Sequence, residues 1–87
     1  MKFEFDPVKS AANKTKHGID FVEAQALWAD DGLVDAPVPS EGEPRFLVIG
    51  RHEGKFWTAV CTLRGESVRI ISVRRARKEE IGYYEGG

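Results

Sequence analysis

Between Arg45 and Arg75 the chain carries three apolar runs separated by two short turns, and this pattern narrows the possible folds more than any other. Phe46, Leu47, Val48 and Ile49 lie inside Arg45 to Arg51, which reads as a central strand buried on both faces. His52-Glu53-Gly54-Lys55 reads as a hairpin turn, after which Phe56 to Leu63 makes a second strand. Arg64-Gly65-Glu66 turns the chain into a third, Ser67 to Arg75. Strands joined by such tight turns pair with their sequence neighbours as an antiparallel meander. A sheet therefore forms the centre of the molecule.

The N-terminal half supplies what covers that sheet. Lys2 to Phe5 alternates polar and apolar, giving a short strand with Phe3 and Phe5 inward. Asp6 is placed to cap free N–H groups and Pro7 suits the first helical position, so a helix starts here. Val8, Ala11, Ala12 and Thr15 share one face of it, while Lys9, Lys14 and Lys16 face outward; Gly18 ends it. A second helix opens at Asp20, with Glu23 completing a capping-box pair and Phe21, Ala24, Leu27 and Trp28 forming a buried stripe. Asp30-Asp31-Gly32 closes it.

Leu33 to Val38 is an edge strand curtailed by Pro37 and Pro39, followed by a polar turn over Ser40 to Glu43. Arg77 to Glu85 closes the chain as a short helix weakened by Gly82, and the Gly86-Gly87 end is expected to fray. The order strand, helix, helix, four strands, helix predicts one α+β domain over residues 1–87. Its sheet is mainly antiparallel, with two N-terminal helices and one C-terminal helix.

Composition narrows the function. A chain of 87 residues holds one small core, and 41% hydrophobic with 31% charged residues suits a folded soluble domain. No apolar run approaches the roughly 18 residues of a membrane span, and Met1 to Asp6 has no signal-peptide character. Cys61 is the single cysteine, so no internal disulfide forms; this fits a cytoplasmic protein in which Cys61 is a buried structural thiol.

The net charge of −1 hides an asymmetry: residues 1–43 carry −5 and residues 44–87 carry +4. From Arg64 to Lys78, six basic residues (Arg64, Arg69, Arg74, Arg75, Arg77, Lys78) stand against the single acid Glu66. Guanidinium groups on a rigid strand match phosphate oxygens, so this stretch points to a polyanion such as nucleic acid. Period-two alternation puts Arg69, Ile71, Val73 and Arg75 on one face and Val68, Ile70, Ser72 and Arg74 on the other. Arg74 and Arg75 therefore point to opposite faces, and at least one must meet an acid or a phosphate.

Glu80 and Tyr84 share a helical face, where Glu80 can pair with Arg74 or Arg75 or take part in proton transfer. Lys16-His17-Gly18 stands at a helix end. There the two side chains either complement the helix dipole or hold a phosphate and exchange protons.

Other chemistries lack their residues. There is no CxxC or HxxxH spacing for zinc, no Gly-rich phosphate loop and no nucleophile elbow. Asp30, Asp31 and Asp35 read as a solvated acidic turn rather than a divalent-ion site. What remains is acid–base chemistry on phosphodiesters by Arg, Lys, His, Glu and Tyr. RNA suits it because its own 2′-hydroxyl attacks the adjacent phosphate once the strand is positioned, charge is neutralised and protons are moved.

A set of motifs runs through the chain in order. It comprises Phe5-Asp6 with Lys9 and Asn13, then Lys16-His17-Gly18-Ile19 with Phe21 and Ala24, then Arg45, Ile49-Gly50 and Thr62. Arg64-Gly65, Arg69-Ile70-Ile71-Ser72, Arg74-Arg75-Ala76, Glu80 and Tyr84 complete it. In these pieces the chain resembles the BrnT family of toxins from bacterial type II toxin–antitoxin systems. The resemblance implies a RelE-like α+β fold and a metal-independent ribonuclease, without a cofactor, that arrests translation. It also implies neutralisation by a BrnA-type antitoxin whose ribbon-helix-helix part binds operator DNA, so that DNA is met only through the antitoxin.

The chain departs from the family pattern at Phe5, where tryptophan is common, at Val73, where alanine is common, and at Gly82 in a usually charged helix. Gly82 costs about 1 kcal/mol of helix propensity and bears on how Tyr84 is oriented.

The expected catalytic set is Lys16, His17, Arg64, Arg74, Arg75, Glu80 and Tyr84. Arg64, Arg74 and Arg75 would take phosphate and transition-state charge, Lys16 and His17 phosphate contact and proton transfer, and Glu80 and Tyr84 supporting acid–base roles. Arg69, Arg77 and Lys78 are the expected further RNA contacts. The rival readings are a catalytically inactive homologue acting as antitoxin co-repressor and a non-cleaving RNA-binding module.

Overall fold

The computed structural model describes residues 1–86; Gly87, at the end expected to fray, lies outside the described residues. Five strands form one sheet in the order β1-β5-β4-β3-β2, with β1 at Lys2–Glu4, β2 at Val34–Val38, β3 at Arg45–His52, β4 at Lys55–Arg64 and β5 at Ser67–Arg75. The expected meander is present as β3-β4-β5, and β2 adds to it antiparallel at one edge. At the other edge β1 pairs parallel to β5, Phe3 opposite Val68, so the sheet is mixed.

The first helix, α1, spans Pro7–His17 and has the ends its sequence dictates. Asp6 Oδ1 accepts from Val8 N at 2.9 Å, and Gly18, at φ 83°, returns its N–H to Lys14 O at 2.9 Å. Its inward face corrects the sequence reading. Val8, Ala11, Ala12 and Thr15 are exposed, and the buried residues are Ser10 and Asn13. The reason lies in the sheet edge. β1 pairs with β5 only as far as Arg69, so the rest of that edge presents bare main-chain groups to α1. Asn13 satisfies those groups at Val73, and Ser10 accepts from Phe21 N in the segment after α1, where apolar side chains would leave them unpaired.

The second helix is a 3₁₀ segment, Glu23–Ala29, rather than an α-helix beginning at Asp20. The capping pair is reciprocal as expected: Glu23 N donates to Asp20 Oδ1 at 2.7 Å and Asp20 N to Glu23 Oε1 at 3.0 Å. Phe21, Ala24 and Leu27 are each three apart, and three residues per turn sets such side chains directly above one another. All three are essentially fully buried. Leu27 closes against Gly50 of β3, where an added Cβ would lie 3.3 Å from the Leu27 side chain.

The core fills one face of the sheet, with Val48, Trp57, Ala59, Cys61, Val68, Ile70 and Val73 packed against Ile19, Phe21, Ala24 and Leu27. Strict alternation along β5 fails at a bulge. Cys61 pairs with Ile70 but Val60 with Ser72, so Ile71 is an extra residue. The slip places Val68, Ile70, Val73 and Arg75 on the core face and Arg69, Ser72 and Arg74 on the reverse, correcting the period-two assignment. The closing helix, α2 (Lys78–Gly86), lies on the reverse face. It is anchored there by Glu80, bonded to Thr58, and by Tyr84, whose ring meets Phe56 edge-on at 5.1 Å.

Candidate active site

The β3–β4 turn is two residues long, with Glu53 at φ 52° and Gly54 at φ 77°, the left-handed pair whose twist matches the flanking strands. His52 and Lys55 face each other across it, and Gly50 faces Trp57 two pairs in. Alternation therefore puts His52, Lys55 and Trp57 on the same sheet face. In the next register pair, Trp57 meets Arg75 at the end of β5. The last residue of α1, His17, comes to the same corner as the chain turns through Gly18.

These pieces enclose a cleft of ≈ 310 Å³ lined by His17, Gly18, Ile19, Glu23, His52, Glu53, Lys55, Trp57 and Arg75. The Arg75 guanidinium carbon lies 5.5 Å from the Trp57 ring centroid, within cation–π range. The Trp57 indole N–H is buried without a hydrogen-bond partner among the described residues. Glu23 is held by Lys14 at 2.7 Å, which keeps its carboxyl below the usual range. Two cations, two imidazoles and an aromatic ring thus share one open corner.

Of the expected catalytic residues, His17 and Arg75 come together here; the others lie elsewhere. Arg74, on the reverse face, donates through both terminal guanidinium nitrogens to Glu80, 2.8 Å each. Glu80 also accepts from the Thr58 hydroxyl at 2.9 Å and from Arg77 N at 2.7 Å. The Arg74 hydrogen bonds hold its carboxyl down to about 2 despite desolvation. The Tyr84 hydroxyl donates to Asp30 Oδ2 at 2.9 Å, and the same carboxylate takes Arg51 N at 2.7 Å and Gly32 N at 3.0 Å. Burial pushes Asp30 up, but these donors outweigh it and leave its carboxyl lower than usual.

Arg64 pairs with Glu43 at 2.7 Å, opposite Ser67 at the far end of the β4–β5 ladder. At roughly 3.3 Å per residue, that is about 23 Å along the strand from Trp57 and Arg75. Arg69 pairs with Glu4 at 3.0 Å on the reverse face. Lys16, Arg77 and Lys78 are exposed and line no part of the cleft. Half of the six-residue basic patch is therefore neutralised within the fold.

Sequence reading passed over His52, Lys55 and Trp57. Their signal was available: a two-residue turn places its flanking residues opposite each other, and period two then carries the face to position 57.

The family model described as the ribonuclease toxin, BrnT, of type II toxin–antitoxin systems matches residues 5–80. The chain belongs to this family. No curated protein matches it. The BrnT match takes in α1, the β3–β4 hairpin and all of β5, hence every residue of the cleft, and it ends at Glu80, before Tyr84. Among the described residues of this BrnT chain, no helix is long and apolar enough to cross a membrane.

Proposed function

We propose that this chain is a metal-independent endoribonuclease toxin whose active site is the cleft between α1, the β3–β4 hairpin and the end of β5. The observation that carries this reading is the convergence of His17 and Arg75, 58 positions apart, with His52 and Lys55. One imidazole takes the proton from a ribose 2′-hydroxyl as that oxygen attacks the adjacent phosphorus. The other gives a proton to the departing 5′-oxygen. The products are a 2′,3′-cyclic phosphate and a 5′-hydroxyl. Arg75 and Lys55 take the charge that builds on the phosphoryl oxygens, which a fixed guanidinium and a flexible ammonium are suited to do. Cation–π contact with Trp57 restrains Arg75 before substrate arrives.

On this reading Arg74, Glu80 and Tyr84 support the sheet end from behind, and Arg64, Arg69, Lys16, Arg77 and Lys78 contribute at most to RNA capture. Family membership supports the wider role in this reading: a RelE-like fold, cleavage of mRNA in the cytoplasm that inhibits translation, and neutralisation by a BrnA-type antitoxin. A ribbon-helix-helix part of that antitoxin would carry the operator-DNA contact.

The test is cleavage of a single-stranded RNA by antitoxin-free protein in EDTA. The expected products end in 2′,3′-cyclic phosphate, and a strand with 2′-deoxyribose throughout stays whole. Intact RNA at high protein concentration, or cleavage of the deoxy strand, overturns the reading; salt-dependent binding without cleavage would make the chain an RNA-binding module instead.

A further inference from the structure

We infer that Asn13 is a positioning residue for this cleft, holding the His17–Ile19 wall against the strand that carries Arg75; the inference rests on the cleft being the ribonuclease site. Asn13 is 7% exposed in a helix otherwise attached by few buried residues. Its Nδ2 donates to Ile19 O at 2.8 Å and to Val73 O at 2.8 Å, and its Oδ1 accepts from Val73 N at 3.2 Å. Ile19 lines the cleft two residues after His17. Val73 precedes Arg75 by two on the same face of β5.

The sheet explains why a carboxamide is needed. β1 stops pairing at Arg69, so Val73 has no strand on its outer side, and the Asn13 amide offers the donor and acceptor that a strand would. With its second N–H the same group reaches the loop that follows α1. Aspartate lacks the donors, serine has only one, and glutamine is a methylene too long. One side chain therefore fixes the spacing between a proton-transfer group and a phosphate-binding cation, the quantity on which proximity effects depend most steeply.

Ser10 provides the matched comparison. It sits one turn earlier on the same buried face, 6% exposed, and its Oγ accepts from Phe21 N at 2.9 Å. Phe21 belongs to the core and not to the cleft.

The experiment compares Asn13→Ala, Asn13→Asp and Ser10→Ala in steady-state cleavage of an in vitro transcribed RNA, at a temperature where circular dichroism shows each variant folded. Both Asn13 variants are expected to lose at least about tenfold in kcat with KM changed by less than about threefold, since a 1 Å misplacement costs up to about 100-fold. Ser10→Ala is expected to lower the unfolding midpoint and keep kcat. If one Asn13 variant does not fold, the other carries the comparison.

Unchanged kcat in a folded Asn13 variant, or an equal kcat loss in Ser10→Ala, overturns the inference. His17→Ala and Arg75→Ala run alongside. If they cleave like wild type, the cleft reading itself is wrong and the inference falls with it; if they are inactive, the Asn13 result stands alone.

Discussion

Arg74 and Glu80 form a two-point ion pair, each guanidinium terminal nitrogen 2.8 Å from a different carboxylate oxygen. The remaining capacity of the carboxylate is filled by Thr58 on β4 and by the main chain at the start of α2. One group thus joins β4, β5 and α2 behind the cleft. Its neighbour in sequence, Arg75, points through the other side of the sheet with no carboxylate partner within salt-bridge distance among the described residues. The two arginines have opposite assignments because they stand on opposite faces.

That ion pair makes stability depend on acid. The Glu80 carboxyl falls from an ordinary 4.5 to about 2 in the folded chain, chiefly through Arg74. A depressed carboxyl pKa gives stability that is present above the unfolded value and is lost as pH falls from about 4.5 toward 2. After allowance for partial exposure, the amount is on the order of 2 kcal/mol. Urea unfolding at pH 7 and pH 3 is expected to show Glu80→Gln weaker at pH 7 by about that much and less sensitive to acid than wild type. An unchanged acid dependence in the variant contradicts the assignment.

Salt dependence separates free cations from neutralised ones. Each phosphate contact on a single strand contributes about 0.7 to the slope of log K against log salt. Arg75→Ala is expected to reduce the slope by about that amount for a non-cleavable 2′-O-methyl RNA, because no carboxylate among the described residues pairs with Arg75. Arg64→Ala and Arg69→Ala are expected to leave it nearly unchanged, since Glu43 and Glu4 already hold those charges.

Tyr84→Phe removes a hydroxyl bonded to Asp30 and keeps the ring against Phe56. The expected cost is about 1 kcal/mol of stability, read from unfolding midpoints. Cleavage should stay within about threefold of wild type, as a group behind the sheet does not meet the reacting atoms.

Cys61 tests the core. It is fully buried, and burial pushes its thiol up to about 12, so the thiolate that reacts is scarce. Iodoacetamide is expected to leave the native chain unlabelled over hours and to label it in urea within minutes; rapid labelling without urea would mean the strand opens.

Local chemistry was legible in the sequence. Asp6, Pro7 and Gly18 gave both ends of α1, and the turn at Gly65 gave the start of β5, because such signals act within a few positions; the His52-to-Lys55 turn read one residue too wide on each side, since His52 and Lys55 pair as strand. The inward face of α1 was not legible. Asn13 turns inward because a strand edge 60 positions away lacks a neighbour, and Ser10 because the Phe21 N–H, eleven positions on, takes it as acceptor. The bulge at Ile71 likewise comes from pairing with β4, and it moved Val73 and Arg75 onto the face of Val68. His17 and Arg75 were visible as candidates one at a time. Their meeting, and the arrival of His52, depends on the whole sheet.

The most direct measurement is the single-turnover cleavage rate of Arg75→Ala beside Arg64→Ala, two arginines of one basic stretch at opposite ends of the same ladder. With Arg75 in the cleft and Arg64 about 23 Å along the strand, Arg75→Ala should fall by roughly 100-fold or more. Arg64→Ala should stay within a few-fold of wild type. An inactive Arg64→Ala beside a fully active Arg75→Ala would move the site to the other end of the sheet and contradict the account.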